Sequence, residues 1–600
     1  MSVNDKEVLA NVLAEADAEI PGSGRSSEAR GSRRRFAARA WASLQTQRAP
    51  LALAGLALLM SLPSLGLGFQ LDDRTYIRLF AAGRTPFNIL YESPTAIVYE
   101  RYVGVFAWWS GQHFSVHFFR PLTAVWHWLD QRLWPESAWL MHLENCLIYA
   151  LLVAIVAALY RELVLSSAKV AALAALMFAV DESHAQSVGW IASRHLLLST
   201  LLALASLLLH VRGRRQQRAW LRWGGVACCA LALLSGEFGL TALAYLVAYA
   251  WILEPGRLRA RLASIWPQLL LGVVWLAAYA TSGFGVRAAS WFRDPWTAPA
   301  ATLGGGLADL PIWLVSQLGG DVANLALGMP QNLARALALA LLLPLLALLV
   351  QPLAASKAAR FFATGMLLSC LLLFSTVPQD RLLLAASFGG FGWLACFVDG
   401  VTERSSAFLR SCAAGLCVPH LIVAPLAFIP LLGGLSAIDA CAVALAELVP
   451  ATGTVQAIVV NIPLELLTNA AWSVRDGSEI PLHQLYAGFS PLTATRPDAR
   501  TLELTVEPGW GTRPLERMFN TAEGMPKRGE LRQVAGMRAT VIDLTPDGLP
   551  QRVRFEFPDA LETEGRVWLV WDGRRPTRWQ PPPVGATHEV PGASMLSLLL

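Results

Sequence analysis

Two adjacent carboxylates, Asp72 and Asp73, directly follow a long apolar run. A carboxyl group beside a low-dielectric medium can keep its proton affinity near neutral pH and act as a general base. Cations suited to a phosphate recur along the chain at Arg120, Arg194, Arg293 and Arg381. The guanidinium fork matches phosphate oxygens in bidentate contact. Glu237 and His184 also stand at the edges of apolar blocks. An ionisable group there costs free energy unless it pairs or faces water, so each is a site candidate, with snorkelling to the interface as the competing explanation. His184 sits near Asp181, but the spacing matches no metal motif, and an imidazole that hydrogen-bonds explains it better than a ligand. No cofactor is therefore expected, with a divalent metal at His184 and Asp181 as the minor alternative. Asp294 and Trp291 offer a carboxylate and a ring face to a sugar, and interfacial anchoring explains Trp291 equally well.

These residues need a membrane to position them. The chain has 600 residues, of which 54% are hydrophobic and 15% charged, with a mean hydropathy of +0.45. That is too apolar for a soluble chain of ordinary composition. The apolar residues come in blocks of about 20, the length of a helix that crosses roughly 30 Å of hydrocarbon. Eleven spans are expected, near 51–71, 138–160, 168–182, 187–210, 219–236, 238–254, 264–282, 333–353, 360–377, 382–399 and 409–432. Basic loops alternate along this map: Arg161 and Lys169, the cluster Arg212 to Arg218, Arg257 to Arg261, Lys357 and Arg360, then Arg404. The positive-inside rule puts them in the cytoplasm, and Asp72, Asp73, Glu237 and the segments 74–137 and 283–330 outside. The two segments are rich in aromatic residues and are expected to form short amphipathic helices on the outer face. The same rule accounts for the net charge of +5, so no nucleic acid partner is expected.

Three regions follow. Residues 1–49 form a basic, disordered cytoplasmic tail, 50–433 the membrane domain, and 434–600 a periplasmic part. The last begins with an amphipathic helix, Ser436 to Leu448, and continues in runs such as VQAIVVN, TLELTV, ATVIDL, VRFEF and VWLVW between turn residues, the pattern of a small β-rich domain. Trp510 and Trp571 are expected in its core. The eight cysteines have no disulfide or zinc spacing, and most lie in apolar blocks.

The stretch from Phe119 to Tyr160, with Arg120, Pro121, Leu122, His142 and Asn145, resembles a segment of the GT-C superfamily of membrane glycosyltransferases. It is most similar to the branch of protein O-mannosyltransferases, the transmembrane and tetratricopeptide-repeat mannosyltransferases, and bacterial relatives of unassigned function. The segment from Asp181 resembles a second motif through His184, Val188, Trp190, Ile191 and Arg194, with Asp181 in place of a His and Gln186 in place of a Glu. Glu237 matches a Lys-Glu pair whose Lys is here Gly236, and Asp380-Arg381 stands for a Glu-Arg pair. The resemblance implies an all-α GT-C-like membrane domain in a bacterial inner membrane. It further implies transfer of a sugar from a polyprenyl-phosphate donor to an envelope polysaccharide, lipid or protein at the outer face, among membrane lipids. On that pattern Asp72 is the catalytic base and Asp73 its neighbour, with Arg120, His184, Arg194, Glu237, Arg293, Asp294 and Arg381 binding donor phosphate or substrate. The departures at Asp181, Gln186 and Gly236 motivate a second reading, a membrane scaffold or lipid-binding assembly protein that has lost catalysis. Transfer of a non-sugar group from a lipid ranks third.

Overall fold

The computed structural model describes residues 39, 41–85, 94–475 and 480–593. Most of the basic tail, including Arg33 to Arg35, lies outside the described residues. Among the described residues, the α-helices of eight or more residues are, in chain order, α1 Ala49–Ser61, α2 Asp72–Ala81, α3 Pro94–Val103, α4 Pro121–Leu133, α5 Ala138–Leu163, α6 Ala168–Val180, α7 Arg194–Arg215, α8 Ala219–Ser235, α9 Thr241–Ala248, α10 Trp266–Thr281, α11 Pro299–Gly319, α12 Gln331–Leu349, α13 Lys357–Leu373, α14 Leu384–Gly400, α15 Ala407–Val418, α16 Ala424–Leu432, α17 Ser436–Glu447 and α18 Leu466–Val474.

Every expected span falls on a helix, but their lengths differ. Among the described residues, six helical stretches are long and apolar enough to cross a bilayer, beginning at Ala49, Ala138, Ile191, Gln331, Asp380 and Ala407. The pair Leu258–Ser264 and α10, bent by 60°, is either a seventh, broken span or a re-entrant loop, and Ala168–Val180, Ala219–Ser235 and Glu237–Leu253 are shorter apolar helices. The chain is a multi-pass membrane protein. Burial separates its centre from its rim: the most apolar window of the stretch containing α14 is 83% buried and that containing α7 is 78% buried, against 28% for the one containing α12. The exposed Leu337, Leu341 and Leu343 of α12 suit contact with lipid tails. At the centre, Tyr160 donates to the Phe388 carbonyl at 2.6 Å and Tyr245 to that of Ala385 at 2.7 Å, which ties α5 and α9 to α14. Such bonds satisfy hydroxyls that no water could reach. At one end of the bundle Glu162 accepts from Arg212 and Arg215, both at 3.0 Å, joining two of the expected basic loops.

The segment 283–330 departs from expectation. Instead of short surface helices alone it contains α11, 21 residues long, packed on α12. Its Asp309 is fully buried because Arg293 and Arg335 both donate to it. The segment 74–137 does hold the short helices α2, α3 and α4. The two segments are stitched together by an antiparallel pair, β1 Ser115–His117 with β2 Gly285–Arg287.

The C-terminal part is β-rich. β3 Gln456–Ile462, β4 Leu482–Ala487, β10 Arg566–Trp571 and β11 Pro576–Arg578 form one sheet, in the order β11-β10-β3-β4. β3 runs parallel to both neighbours, and all its residues are buried, as a continuous apolar strand covered on both faces requires. The parallel step from β3 to β4 passes through α18, a crossover that parallel strands need. β5 Leu492–Asp498, β6 Thr501–Thr505, β7 Leu531–Val534, β8 Met537–Leu544, β9 Pro550–Glu556 and β12 Thr587–Val590 make an antiparallel sheet in the order β12-β5-β6-β9-β8-β7. Trp510 and Trp571 lie in the core between these elements.

That core is not made by the C-terminal part alone. Leu71, Val103, Trp108 and Trp109 from the first loop belong to it, and Trp108 donates to the Leu485 carbonyl at 3.1 Å. Gly104 passes so close to β4 that a Cβ there would stand 2.2 Å from the Leu482 oxygen. In this joint Glu465 is buried and accepts from the Ser110 hydroxyl at 3.1 Å. Burial pushes its carboxyl from 4.5 up to about 8. Between those values the folded chain holds a proton that the unfolded chain has released, so stability falls as pH rises through the window, by up to about 1.4 kcal/mol per unit. Glu465→Gln is expected to flatten the fall in apparent melting temperature between pH 5 and 8. A slope unchanged by the substitution would remove Glu465 from this role.

Candidate functional site

The turn before α2 is held open by force. Leu71 adopts φ 43° and ψ −111°, a conformation that costs a non-glycine residue about 1–3 kcal/mol. Its N–H donates to Asp439 Oδ1 at 2.9 Å, and Arg74 Nη2 donates to Asp439 Oδ2, also at 2.9 Å. Asp439 sits on α17, so the C-terminal part fixes the turn that carries Asp72. Asp439→Ala leaves the Leu71 amide and Arg74 without their acceptor, and is expected to cost about 1–3 kcal/mol. Faster tryptic cleavage after Arg74 and Arg78 would report it, with Asp439→Asn milder because it keeps an acceptor for the amide.

Asp72 and Asp73, neighbours in sequence, have different surroundings. Both carboxylate oxygens of Asp73 are used by the backbone: Oδ2 accepts from Gln70 N at 2.9 Å and Oδ1 from Ala192 N at 2.7 Å. Asp73 thus fastens α2 to the turn before α7 and does not line the cavity, and burial pushes its pKa up to about 8. Asp72 is exposed to a cavity of about 440 Å³ while enclosed by protein. That enclosure raises its pKa above the ordinary carboxylate value, against the pull of the Arg381 charge.

Around this cavity the fold gathers Asp72, Arg120, Glu237, Arg293, Asp294 and Arg381 from widely separated segments. Arg120 Nε donates to Glu237 Oε2 at 2.8 Å, and the Tyr279 hydroxyl donates to Glu237 Oε1 at 3.1 Å. Arg293 donates to Asp309 and to the carbonyls of Phe374 and Thr376, so it braces α11 against the loop after α13. Asp294 accepts from Trp296 N at 2.9 Å and from the Thr297 hydroxyl at 2.8 Å, which closes its own turn. Arg381 donates to Gln379 at 3.1 Å and to Ser193 at 3.4 Å, and its guanidinium lies over Trp190, 4.7 Å from the ring centre. Among the described residues it is the cavity arginine with no carboxylate in ion-pair contact. The cavity is also lined by apolar side chains, among them Leu240, Trp275, Leu276, Leu371, Leu372 and Leu382.

Two motif residues lie elsewhere. Arg194 is wholly buried, donating to Asp130, to Asn145 at 2.8 Å and to the Met141 carbonyl at 2.9 Å, and this network binds α7 to α4 and α5. His184 is wholly buried beside Tyr149 and Phe178. Conversely, the cavity includes Tyr76, Trp190, His195 and Gln379, and the turn depends on Asp439. Trp190 and His195 flank Arg194 in the same motif, which is the signal that could have found them. Nothing in the sequence around Asp439 marks it.

No described family matches the chain by sequence, and no curated protein does. Among solved structures it is similar to ArnT from Cupriavidus metallidurans in the apo state, at 12% identity and a TM-score of 0.38 over 75% of this chain and 86% of that one. It is also similar to the archaeal oligosaccharyltransferase AglB from Archaeoglobus fulgidus, at 12% identity and 0.35 over 73% and 65%. Against the arabinofuranosyltransferase AftD from Mycobacteria, identity is 16% and the TM-score 0.31, over 87% of this chain and 41% of that one. Likeness at this level does not establish a shared chemistry. What the chain itself displays is a multi-pass helical membrane protein with a β-rich C-terminal part and a cavity lined by three carboxylates, Asp72, Glu237 and Asp294, three arginines, Arg120, Arg293 and Arg381, and apolar side chains.

Proposed function

We propose that the chain is a membrane glycosyltransferase of the GT-C kind that moves a sugar from a polyprenyl-phosphate donor to an acceptor hydroxyl at the outer face of the membrane. The observation that carries this is the shared cavity of Asp72 and Arg381, with a leucine-rich wall beside them. In this reading Asp72 takes the proton of the acceptor hydroxyl as its oxygen bonds to the anomeric carbon. The bond from that carbon to the donor phosphate breaks, and the leaving phosphate stays between Arg381 and Arg120. Attack opposite the leaving group inverts the anomeric centre. Asp73, Arg194 and His184 hold the scaffold, and Glu237 orients Arg120. The acceptor is an envelope polysaccharide, lipid or protein.

Retention of polyprenyl phosphate tests the reading. The purified chain in neutral-lipid nanodiscs is expected to keep added undecaprenyl phosphate in native mass spectrometry, and Arg381→Ala to release it. No retention by the parent chain would leave the scaffold as the better account.

A further inference from the structure

The turn Glu182–His184 packs against the turn Asp380–Leu383, which carries the cavity residues Arg381 and Leu382. There one carboxylate oxygen from each of Asp181, Glu182 and Asp321 lies within 4.8 Å of the others. None of the three lines the cavity. Asp181 and Glu182 are buried, and Asp321, in the segment after α11, is partly open. No arginine or lysine pairs with any of them among the described residues. The Asp181 carboxylate has only neutral donors, Ser183 N at 3.2 Å and the hydroxyls of Ser183 at 3.0 Å and Ser387 at 3.3 Å. The nearby Asp380 is fully used by Ser316, Ala323 N and Asn324 N.

Two unpartnered atoms point to what the cluster lacks. Glu182 Oε2 is buried without a hydrogen-bond partner, in a residue only 7% exposed. His184 Nε2, in a wholly buried ring, is also unpartnered and stands 3.3 Å from Asp181 Oδ2, too poorly aligned for a hydrogen bond. The Tyr149 hydroxyl stands 3.2 Å from His184 Nδ1 and within reach of the carbonyls of Phe178 at 3.3 Å and Ala179 at 3.2 Å. Buried acidic groups without a counter-charge are costly.

We propose that Asp181, Glu182 and Asp321 bind one divalent cation of the hard class, Mg²⁺, Ca²⁺ or Mn²⁺. An all-oxygen carboxylate set selects these ions over zinc or copper, and the open side of Asp321 leaves room for coordinated water. The ion ties the end of α6 to the segment after α11, beside the turn that carries Arg381. This does not depend on the transferase reading.

Mn²⁺ is the probe, added to the full chain in neutral-lipid nanodiscs and followed by loss of its free paramagnetic signal. About one ion per chain is expected, displaced by excess Mg²⁺ or Ca²⁺. Glu182→Gln and Asp321→Asn should each weaken binding by roughly tenfold or more. Both relieve like-charge repulsion and keep shape, so in EDTA they should melt no lower than the parent, while Mn²⁺ raises the melting temperature of the parent alone. Absence of saturable binding by the parent, or equal affinity in both variants, would overturn the site and leave shared protons to neutralise the cluster.

Discussion

Asp72→Asn is expected to lower the rate of sugar transfer by roughly 10²–10⁴-fold with the chain still inserted and folded. The amide keeps the size of the side chain and its hydrogen bonding, so what disappears is the proton acceptor. Asp72 has no packing duty that the change would disturb: its side chain faces the cavity, whereas the neighbouring Asp73 holds Gln70 and Ala192. Asp73→Asn should therefore lower the melting temperature more than Asp72→Asn does. A base must be ionised to work, and enclosure raises the pKa of Asp72 above 3.8. The parent's kcat/KM should accordingly fall on acidification at a pH higher than an ordinary aspartate would give. Full activity of Asp72→Asn would sink the catalytic reading.

Arg381→Ala should weaken retention of polyprenyl phosphate and slow turnover together, because it removes a phosphate partner both in the bound donor and in the departing lipid. The loss in turnover should reach about 10²-fold or more, on the scale of removing one preorganised donor from an active site. Arg381→Lys should rescue only part of it, since an ammonium cannot reproduce the planar contact with Trp190 or a bidentate grip on phosphate. If Arg381→Ala keeps full lipid retention while Arg120→Ala loses it, the phosphate sits at the Glu237 end of the cavity instead.

Much of the membrane part was legible because the bilayer imposes length and apolarity on each span. The helix α11 was not, since its Gly304 to Gly306, Asp309 and Pro311 break the apolar pattern. In the fold Asp309 is neutralised by Arg293, from the preceding loop, and Arg335, from the next helix, a compensation no local window contains. The same limit governs the site. Asp72, Arg120, Glu237 and Arg381 carry charge at the ends of apolar runs and could be picked out, and they do line one cavity. Arg194 and His184 carry the same mark but are spent on packing, because a motif does not tell which way a side chain points. The crossover helix α18 was hidden inside a region whose strands spoke louder.

The contact between Leu71 and Asp439 spans 368 positions of the chain. A ribosome adding about 5–20 residues per second needs roughly 20–70 s to travel that far. Through that interval the first span is already in the membrane, yet the bond that holds the bend beside Asp72 cannot form. Biosynthesis therefore imposes an order on this molecule: the acidic turn cannot be completed before Asp439 has been added and has reached back to it. A nascent chain stalled before residue 439 would carry every arginine of the cavity and still lack the bond that shapes its floor.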